Sequence, residues 1–542
     1  MRKLLLAALS AMAVLSAGAQ DFKVVVNTDR EPMAAGPFKP TLEGLSAYQC
    51  PQWFEDAKFG IWAHWGVQCA PEHGDWYARW MYQQGSDDYN FQIGVMDHPS
   101  RAGFMEWIPR WKAEHWSPDS LVAFYKTCGA KYFMAMANHH DNFDNYDSKY
   151  QPWNSVNMGP KKDIIKGWAE AAKKSGLPFG VSVHLAHAWT FYETSRGADK
   201  KGPLKGVKYD GWLTKADGKG KWWEGYDPQD LYEQRHPLSK NNNKWNWELG
   251  EVTTPDQAYC DRVYNRTVDL INKYDPQVVY YDDTYVPLWP VSDCGLKITA
   301  YLYNKNMAEH GGKNLAVATG KVLTPEQKKT VVWDVERGVP DDIQPQHWQT
   351  CTCIGSWHYD KRRYYNDTYK TPAQVITMLI DIVSKNGNLL LNVPVRSDGT
   401  IDPTEHRIVS EIGAWLKVNG EGIYGTRPWV KCGEGPAMEK KNKTQQQNFN
   451  EGNVKLGASD IRFTKKGNSL YVAVLGKPES DILVKSLAKK GLLKASIKRV
   501  ELLGSTAPVA WQQTADGLRI TCPTTVPFTE AVVYKVVTNK RL

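Results

Sequence analysis

Five apolar stretches of this chain end on side chains that can act as acids, bases or nucleophiles. They are residues 58–64, 131–140, 179–184, 277–282 and 331–336, and they end on His64, His139 with His140, His184, Asp282 and Glu336. Each stretch is almost continuously apolar, which is typical of parallel strands that are covered on both faces. Polar side chains at the ends of such strands lie together on one rim of a barrel, where barrel enzymes carry out their chemistry. The pattern therefore predicts an active site formed by several strands.

Helical patterns alternate with these stretches between about residues 58 and 420. Among them are residues 117–130, 163–175, 255–274, 372–385 and 403–418. Several begin with Ser, Asp or Pro, which favour helix starts. A further apolar strand at 388–393 closes the series. This alternation predicts an α/β fold, a (β/α)8-like barrel.

Two regions depart from the alternation. Residues 194–250 are rich in Gly, Lys and Asn, and a long insertion after a barrel strand either walls the substrate pocket or forms a separate surface segment. After residue 429, short alternating strands such as 461–464 and 469–475 replace the helical patterns. We therefore expect a barrel over residues 20–429 that carries the insertion, followed by a C-terminal antiparallel β-sandwich over residues 430–542.

The first 19 residues have the pattern of a secretory signal peptide. Arg2 and Lys3 precede an apolar stretch from Leu4 to Leu15, and small residues lead to Ala19. The apolar stretch is shorter than the roughly 20 residues that a membrane-spanning helix needs. We therefore expect cleavage after Ala19 and a periplasmic or secreted protein without membrane insertion.

The composition narrows the classes of partner. The net charge of +8 comes from charges of both signs mixed along the chain, so nucleic acid is not an expected partner. The nine cysteines form no Cys-x-x-Cys pair, which favours buried thiols, with one or two disulfides compatible with export. The 23 Trp and 27 Tyr residues suit carbohydrate binding and a large aromatic core equally well.

Asp282 and Glu336 are the candidate pair for acid and base chemistry. Glycoside hydrolysis with retention needs two carboxyl groups roughly 5 Å apart, one as the nucleophile and one as the acid and then the base. Two strands of one barrel rim can supply this spacing. We assign Asp282 as the nucleophile and Glu336 as the acid/base, with Asp334 as the alternative acid. Asp283 points to the opposite face and is expected to cap the loop.

The histidines at the strand ends have two possible roles. Neutral imidazoles donate and accept hydrogen bonds, which suits the hydroxyl groups of a sugar. A metal-dependent hydrolase that uses His139, Asp141 and Asp282 is the alternative. Adjacent residues on one strand point apart and cannot all reach one ion. We therefore expect no metal.

Several motifs between about residues 50 and 480 resemble one known enzyme family. They are Phe59 to Gly66, Asp75-Trp76-Tyr77, His139-His140-Asp141 with Phe143, Trp153-Asn154-Ser155, Asp282 after two aromatic residues, Asn386 to Asn392, and Asp460 to Thr464. In combination they resemble the α-L-fucosidases of glycoside hydrolase family 29. The resemblance implies a retaining exo-enzyme that acts through a covalent intermediate and without a cofactor. Its substrate would be terminal α-linked L-fucose on an oligosaccharide or glycoconjugate.

The resemblance also implies the residues that hold the sugar. His64, His139 and His140 match histidines that bind fucose hydroxyl groups, and Asp75 with Trp76 matches an acidic residue before Trp-Tyr that reaches the sugar. The remaining substrate-binding candidates are His184, Tyr280 and Trp357.

The chain departs from the family pattern at positions around the expected pocket. These positions are Asn138, Asn142, Asp75, Tyr280 and His184. These differences bear on which sugar is bound and not on the type of reaction. An α-L-galactosidase or related L-sugar glycosidase on the same fold, and a catalytically weak fucose-binding protein, remain alternatives. The sequence leaves the oligomeric state open.

Overall fold

The computed structural model describes residues 21–240, 252–439 and 448–542. The predicted signal peptide and the last part of the predicted insertion lie outside the described residues. In the described ranges, no helix is long and apolar enough to cross a bilayer. All nine cysteines are free thiols, and seven of them are buried, in line with the preference drawn from their spacing.

Eight parallel strands close into a barrel in chain order, which confirms the predicted (β/α)8-like fold. β1 pairs with β2 on one side and with β8 on the other, which closes the ring. Nearly all strand residues are buried, which explains their apolar sequences. The strands are β1 Phe59–Ala63, β2 Phe133–Met136, β3 Phe179–Val183, β4 Val278–Tyr281, β5 Val317–Gly320, β6 Val332–Glu336, β7 Trp348–Cys353 and β8 Gly387–Asn392.

Helices follow most, but not all, of the barrel strands. Only a short 3-10 turn, Gln327–Lys329, lies between β5 and β6. The predicted helix starts are capped by side chains: Asp163, Asp256, Thr371 and Asp402 each accept a hydrogen bond from a backbone N–H in the first turn. The helices are α1 Leu42–Leu45, α2 Gln52–Ala57, α3 Tyr77–Trp80, α4 Asp87–Val95, α5 Pro118–Thr127, α6 Ile164–Ser175, α7 Ala188–Phe191, α8 Pro228–Tyr232, α9 Gln257–Tyr274, α10 Cys294–Glu309, α11 Lys361–Tyr365, α12 Pro372–Ser384, α13 Pro403–Asn419 and α14 Pro436–Glu439.

The C-terminal region forms two antiparallel sheets, as predicted. Their orders are β13-β16-β11-β10-β9 and β12-β15-β14. Val472 of the first sheet and Leu518 of the second belong to one buried apolar cluster, so the sheets share a core. The strands are β9 Arg427–Glu434, β10 Ile461–Lys466, β11 Ser469–Val474, β12 Ile482–Val484, β13 Ile497–Leu502, β14 Trp511–Gln513, β15 Leu518–Ile520 and β16 Val532–Thr538.

The sandwich is fixed to the barrel by buried polar contacts. Arg462 on β10 donates to Asp381 of α12, and the same carboxylate pairs with Lys385 at 2.9 Å. A second contact joins the segment after α14 to the last residue of β6. The Phe449 N–H donates to the Glu336 carbonyl oxygen at 2.8 Å. The C-terminal region therefore reaches the end of a barrel strand that carries a predicted site residue.

The described part of the insertion, residues 194–240, folds into short turns and α8. Its buried Asp210 accepts hydrogen bonds from the hydroxyl groups of Tyr82 and Tyr232, at 2.8 and 2.5 Å. The contact with Tyr82 holds the insertion against the segment between β1 and β2. None of its described residues lines the cavity at the strand ends. Of the two roles considered for it, the described part fits a packed surface segment.

Candidate active site

A cavity of about 420 Å³ lies at the carboxyl ends of the barrel strands. This volume is within the range of roughly 300–1,000 Å³ that is common for ligand sites. All ten residues predicted as catalytic or substrate-binding line it: His64, Asp75, Trp76, His139, His140, His184, Tyr280, Asp282, Glu336 and Trp357. The structure therefore brings together strand ends that are up to 293 positions apart, from His64 to Trp357, in one place.

Two larger cavities lie elsewhere and lack this chemistry. One, of about 640 Å³, lies between the barrel and the sandwich, and its buried Asp381 is neutralised by Lys385 and Arg462. The other, of about 880 Å³, lies at the opposite end of the barrel near Phe179 and Gln277. Neither is lined by a histidine. The rim cavity is therefore the candidate active site.

Lys321, the residue after β5, lies between the two predicted catalytic carboxylates. Its Nζ contacts Asp282 Oδ1 and lies 2.6 Å from Glu336 Oε2. Two oxygens that are both hydrogen-bonded to one ammonium nitrogen are at most about 6.4 Å apart, which is less than the roughly 6.5–9.5 Å of inverting enzymes. Retaining glycosidases place their two carboxyl groups about 5–5.5 Å apart. The spacing of Asp282 and Glu336 therefore suits retention.

The chain around Lys321 is held close to Asp282 by backbone contacts. The Lys321 and Val322 N–H groups both donate to the Thr284 carbonyl oxygen, at 3.0 and 2.7 Å. Gly320 permits this approach, because a Cβ there would lie 2.4 Å from the Tyr285 carbonyl oxygen. The ammonium is therefore positioned by backbone contacts as well as by its charge.

The charges around Asp282 keep it ionised. Burial raises the pKa of this carboxyl, but the Lys321 ammonium, His184 and a hydrogen bond from His140 outweigh burial and hold the pKa well below its usual value of 3.8. Burial also lowers the pKa of Lys321, but Asp282 and Glu336 outweigh it and raise that pKa above 10.5. Asp282 is therefore available as an anionic nucleophile at neutral and mildly acidic pH.

His140 and His184 orient the Asp282 carboxylate. His140 Nε2 lies 3.1 Å and His184 Nε2 lies 3.8 Å from Asp282 Oδ2. The other ring nitrogen of each histidine faces a backbone carbonyl oxygen: His140 Nδ1 is 2.8 Å from His184 O, and His184 Nδ1 is 2.9 Å from Asn138 O. These backbone contacts fix both ring planes.

His64 and His139 present polar groups to the cavity. The Gln68 amide lies 2.7 Å from His139 Nδ1, which directs His139 Nε2 to the cavity side. Both ring nitrogens of the buried His64 lack a hydrogen-bond partner among the described residues. Burial, reinforced by neighbouring histidines, lowers the pKa of His64 and His139 well below 6.5. These rings are therefore neutral at pH 7 and can exchange hydrogen bonds with sugar hydroxyl groups.

His358, which was not predicted, adds a third buried imidazole ring to the cavity wall. It is fully buried, lines the cavity, and neither of its ring nitrogens has a hydrogen-bond partner in the described part of the chain. Its backbone N–H donates to Asp75 Oδ1 at 2.7 Å, and the Trp357 N–H donates to Asp75 Oδ2 at 3.2 Å. Asp75 therefore fixes the turn after β7 that carries both Trp357 and His358.

Aromatic rings enclose the remaining walls. Trp62 packs on Tyr280 and Trp357, with ring centroids 4.9 and 5.5 Å apart, and Trp76 meets His140 edge to face at 5.6 Å. The Tyr280 hydroxyl points deeper into the barrel, 3.4 Å from both Asp334 Oδ1 and Cys351 Sγ. Tyr280 therefore offers the cavity its ring face and not its hydroxyl group.

Two other predicted carboxylates have structural roles. Asp334 lies inside the barrel, outside the cavity lining, with the Gln349 amide at 2.7 Å and Cys351 Sγ at 3.0 Å. Burial raises the pKa of Asp334 to about 6. Asp283 accepts from the backbone N–H groups of Thr284 and Leu288 at 2.8 and 3.3 Å, which is the capping contact that was expected. Glu336 and not Asp334 therefore faces the cavity.

One histidine group has the spacing of a metal site. In the described residues, His64, His139 and His358 place one nitrogen each within 4.8 Å of one another. Ligand nitrogens about 2.0–2.1 Å from a tetrahedral zinc ion are only about 3.4 Å apart. The rings would therefore have to move to bind zinc. This group shares only His139 with the metal set considered from the sequence.

Several lining residues were missed by the sequence reasoning. They are Trp62, His187, Thr284, Lys321, Val322, His358, Asn448 and Phe449, besides the predicted cap Asp283. Lys321 follows β5, whose short sequence Val-Ala-Thr-Gly gives no strand signal, and Phe449 belongs to the region assigned to the sandwich. The adjacent Trp357 was the only available signal for His358.

Comparisons with known proteins agree with this geometry. Residues 25–421 match the family model Alpha-L-fucosidase, and residues 456–536 match the model Alpha-L-fucosidase C-terminal domain. An alpha-L-fucosidase of Branchiostoma floridae is 26% identical over 504 residues, covering 90% of this chain and 92% of that protein.

Two solved structures share the fold. The Thermotoga maritima alpha-fucosidase has a TM-score of 0.65 at 24% identity, covering 92% of this chain and 100% of that one. An alpha-L-fucosidase of Bacteroides thetaiotaomicron, solved as a trapped covalent intermediate, has a TM-score of 0.59 at 17% identity, covering 94% of this chain and 99% of that one. The first family model alone spans well over half of the sequence. This chain belongs to the alpha-L-fucosidase family of retaining glycoside hydrolases.

Proposed function

We propose that Asp282 and Glu336 carry out the alpha-L-fucosidase reaction of this protein, releasing terminal L-fucose from fucosylated oligosaccharides or glycoconjugates. The observation that carries the assignment is the pair of carboxylates joined by Lys321, within reach of buried neutral imidazoles. The carboxyl groups of Asp282 and Glu336 supply the nucleophile and the acid/base, and the imidazoles supply hydrogen bonds for a polyhydroxylated ring.

The reaction proceeds in two displacements. In the first, an Asp282 oxygen attacks the anomeric carbon, the bond to the leaving oxygen breaks, and Glu336 donates its proton to that oxygen. In the second, Glu336 takes a proton from water, the water oxygen attacks the anomeric carbon, and Asp282 is released as a carboxylate. The sugar is inverted twice, so its configuration is retained.

Lys321 keeps the charge balanced in both displacements. The first displacement requires anionic Asp282, a proton on Glu336 and cationic Lys321, whose charges sum to zero. In the covalent intermediate, Asp282 is a neutral ester and Glu336 is the anion, so the sum is again zero. One fixed ammonium therefore stabilises the anionic carboxylate of each state, Asp282 before the first displacement and Glu336 before the second.

The direct test is hydrolysis of 4-nitrophenyl α-L-fucoside by protein that lacks residues 1–19. We expect turnover, with the α-anomer of fucose appearing first by NMR. Absence of turnover by folded protein, or the β-anomer first, would overturn the proposal. The 4-nitrophenyl α-L-galactoside is the comparison substrate, because L-galactose is L-fucose with one added hydroxyl group. A pocket discriminates only weakly against an added hydroxyl group unless that group clashes. A preference for the galactoside would make the L-galactosidase alternative correct.

We also propose that the protein is exported to the periplasm or beyond the cell. The charged start, the apolar stretch and the small residues before Ala19 support export. N-terminal sequencing of the mature protein should begin at Gln20. A mature chain that retains residues 1–19 would contradict export by this signal.

A further inference from the structure

Phe449 is a large exposed aromatic side chain at the mouth of the catalytic cavity. It lines the cavity and is 62% exposed, whereas Trp62 and Tyr280 in the interior are each 1% exposed. Single exposed apolar residues are common on protein surfaces and need no explanation by themselves. The position of Phe449 becomes informative because of how its segment is held.

The segment that carries Phe449 is fastened to the barrel on its C-terminal side. Asn450, which is buried, accepts from the Val339 N–H and donates to the Val339 carbonyl oxygen, both at 2.9 Å. The Glu451 N–H donates to the Arg337 carbonyl oxygen at 2.9 Å, and its carboxylate lies 2.6 Å from Thr352 Oγ1 and 2.8 Å from Lys370 Nζ.

Phe449 itself has a backbone conformation that non-glycine residues seldom adopt. Its φ is +58°, in the left-handed region, which costs an L-residue roughly 1–2 kcal/mol. The contacts of Asn450 and Glu451 therefore maintain a conformation in which the Phe449 ring points away from any core. A purely structural segment would gain by burying this ring.

The same segment forms a backbone hydrogen bond to the acid/base residue. The Phe449 N–H donates to the Glu336 carbonyl oxygen at 2.8 Å. A general acid must face the glycosidic oxygen that it protonates, so the leaving group lies on the Glu336 side of the sugar. The Phe449 ring is therefore next to the space that the leaving group enters.

The neighbouring Asn448 adds a polar group to this space. Asn448 lines the cavity, and its buried amide oxygen has no hydrogen-bond partner among the residues that the structure describes. An aromatic face beside an unpaired amide oxygen matches a pyranose ring, which has an apolar C–H face and hydroxyl groups at its edge.

We infer that Phe449 and Asn448 form the subsite for the leaving group, and that this leaving group is a hexopyranose whose C–H face stacks on Phe449. The inference rests on the proposed function, because it uses Glu336 as the acid. It assigns recognition of the leaving group to the segment between α14 and β10 of the C-terminal region, while the barrel strands hold the fucose.

The experiment measures kcat/KM of Phe449→Ala on α-L-fucosyl fluoride and on an α-L-fucosyl hexopyranoside disaccharide. We expect a loss of about tenfold or more on the disaccharide, because the variant removes the aromatic face on which the leaving sugar stacks. We expect less than a twofold change on the fluoride, whose leaving group cannot stack. Phe449→Trp should restore the disaccharide rate, and Asn448→Ala should lower it selectively.

The control is Tyr365→Ala, which removes an aromatic ring that is 75% exposed and lies outside the cavity lining. It should change neither rate. Equal losses on both substrates for Phe449→Ala would indicate a purely structural role, and unchanged rates on both would show that the ring does not contact the leaving group. Either result overturns the inference.

A binding measurement separates this inference from the proposed function. In the Asp282→Asn background, calorimetry with intact disaccharide and with L-fucose should show that Phe449→Ala weakens only disaccharide binding. If wild-type protein fails to hydrolyse the fluoride, the proposed function is wrong. The selective loss of disaccharide binding is still measurable in that case, and its absence would refute the subsite.

Discussion

The interior and the mouth of the cavity are built in different ways. The interior groups come from strand ends: His64, His184, Asp282 and Glu336 directly end or follow β1, β3, β4 and β6. The mouth groups Val322 and Phe449 come from loops and are 63% and 62% exposed. Strand ends are fixed by the barrel ladder, whereas loop groups are fixed by contacts particular to this chain. The reaction is therefore set by the fold and the choice of leaving group by the loops.

The largest effect should come from the interior nucleophile. Asp282→Ala should lower kcat/KM for every fucoside by on the order of 10⁴-fold or more, because no covalent intermediate can form. Initial rates on fucosyl fluoride and on an aryl fucoside check this. The neighbouring Asp283→Asn keeps one oxygen, which can maintain one of the two capping contacts, and should lose far less activity. Similar losses for both variants would remove the distinction between the two carboxylates.

Glu336 lies where the interior of the cavity meets its mouth. The loss of activity on replacing it should therefore depend on the leaving group. Glu336→Ala should lose about 10²–10⁴-fold on a sugar leaving group that needs a proton. The loss on fucosyl fluoride should be much smaller, because fluoride leaves without protonation. Added azide should restore turnover and give the α-fucosyl azide. Equal losses on all leaving groups would place the acid elsewhere.

Replacing Lys321, which lies in the interior of the cavity, should change the pH dependence of kcat/KM. Its charge is the main influence that lowers the pKa of Asp282, against burial, which raises it. In Lys321→Gln the pKa of Asp282 should therefore rise, so the acidic limb of kcat/KM moves to higher pH by about one to three units. Lys321→Arg keeps the charge and should leave the limb nearly in place. An unshifted limb in Lys321→Gln would contradict the assigned role.

The smallest effect concerns the imidazoles that contact the sugar. Burial lowers the pKa of His184 to about 3 and those of His64 and His139 well below 6.5. We expect these rings to stay neutral when the pH falls from 7.5 to 5.5, because burial and the neighbouring histidines oppose their protonation. Calorimetry should therefore show a dissociation constant for L-fucose that changes less than about twofold across it. A tenfold loss per pH unit below 6.5 would show that they titrate there.

More of the residues that line the cavity interior than of those at its mouth could be identified from the sequence. The strand ends could be read because continuous apolar stretches lead into His64, Asp282 and Glu336. β5 and β7 were missed, since β5 reads Val-Ala-Thr-Gly, with only one large apolar residue, and β7 reads Trp-Gln-Thr-Cys-Thr-Cys, without a continuous apolar run. Helix α10 was missed because it is buried around most of its circumference and has little amphipathic contrast.

The mouth depends on contacts that have no local signal. Lys321 is close to Asp282 through barrel closure and the Thr284 carbonyl oxygen, and Phe449 reaches Glu336 across 113 positions of the chain. The insertion was a reasonable candidate for the pocket wall by length, yet its described part packs on Tyr82. Which long loop reaches a site depends on tertiary packing and not on composition.

Trapping of the covalent intermediate tests the central claim most directly. Protein without residues 1–19 is incubated with 2-fluoro-fucosyl fluoride, and intact mass is followed by peptide mapping. We predict the addition of one 2-fluorofucosyl unit per chain, on the peptide and residue Asp282, and no addition in Asp282→Ala. A label on any other carboxylate, or no label on protein that turns over fucosides, would contradict the account.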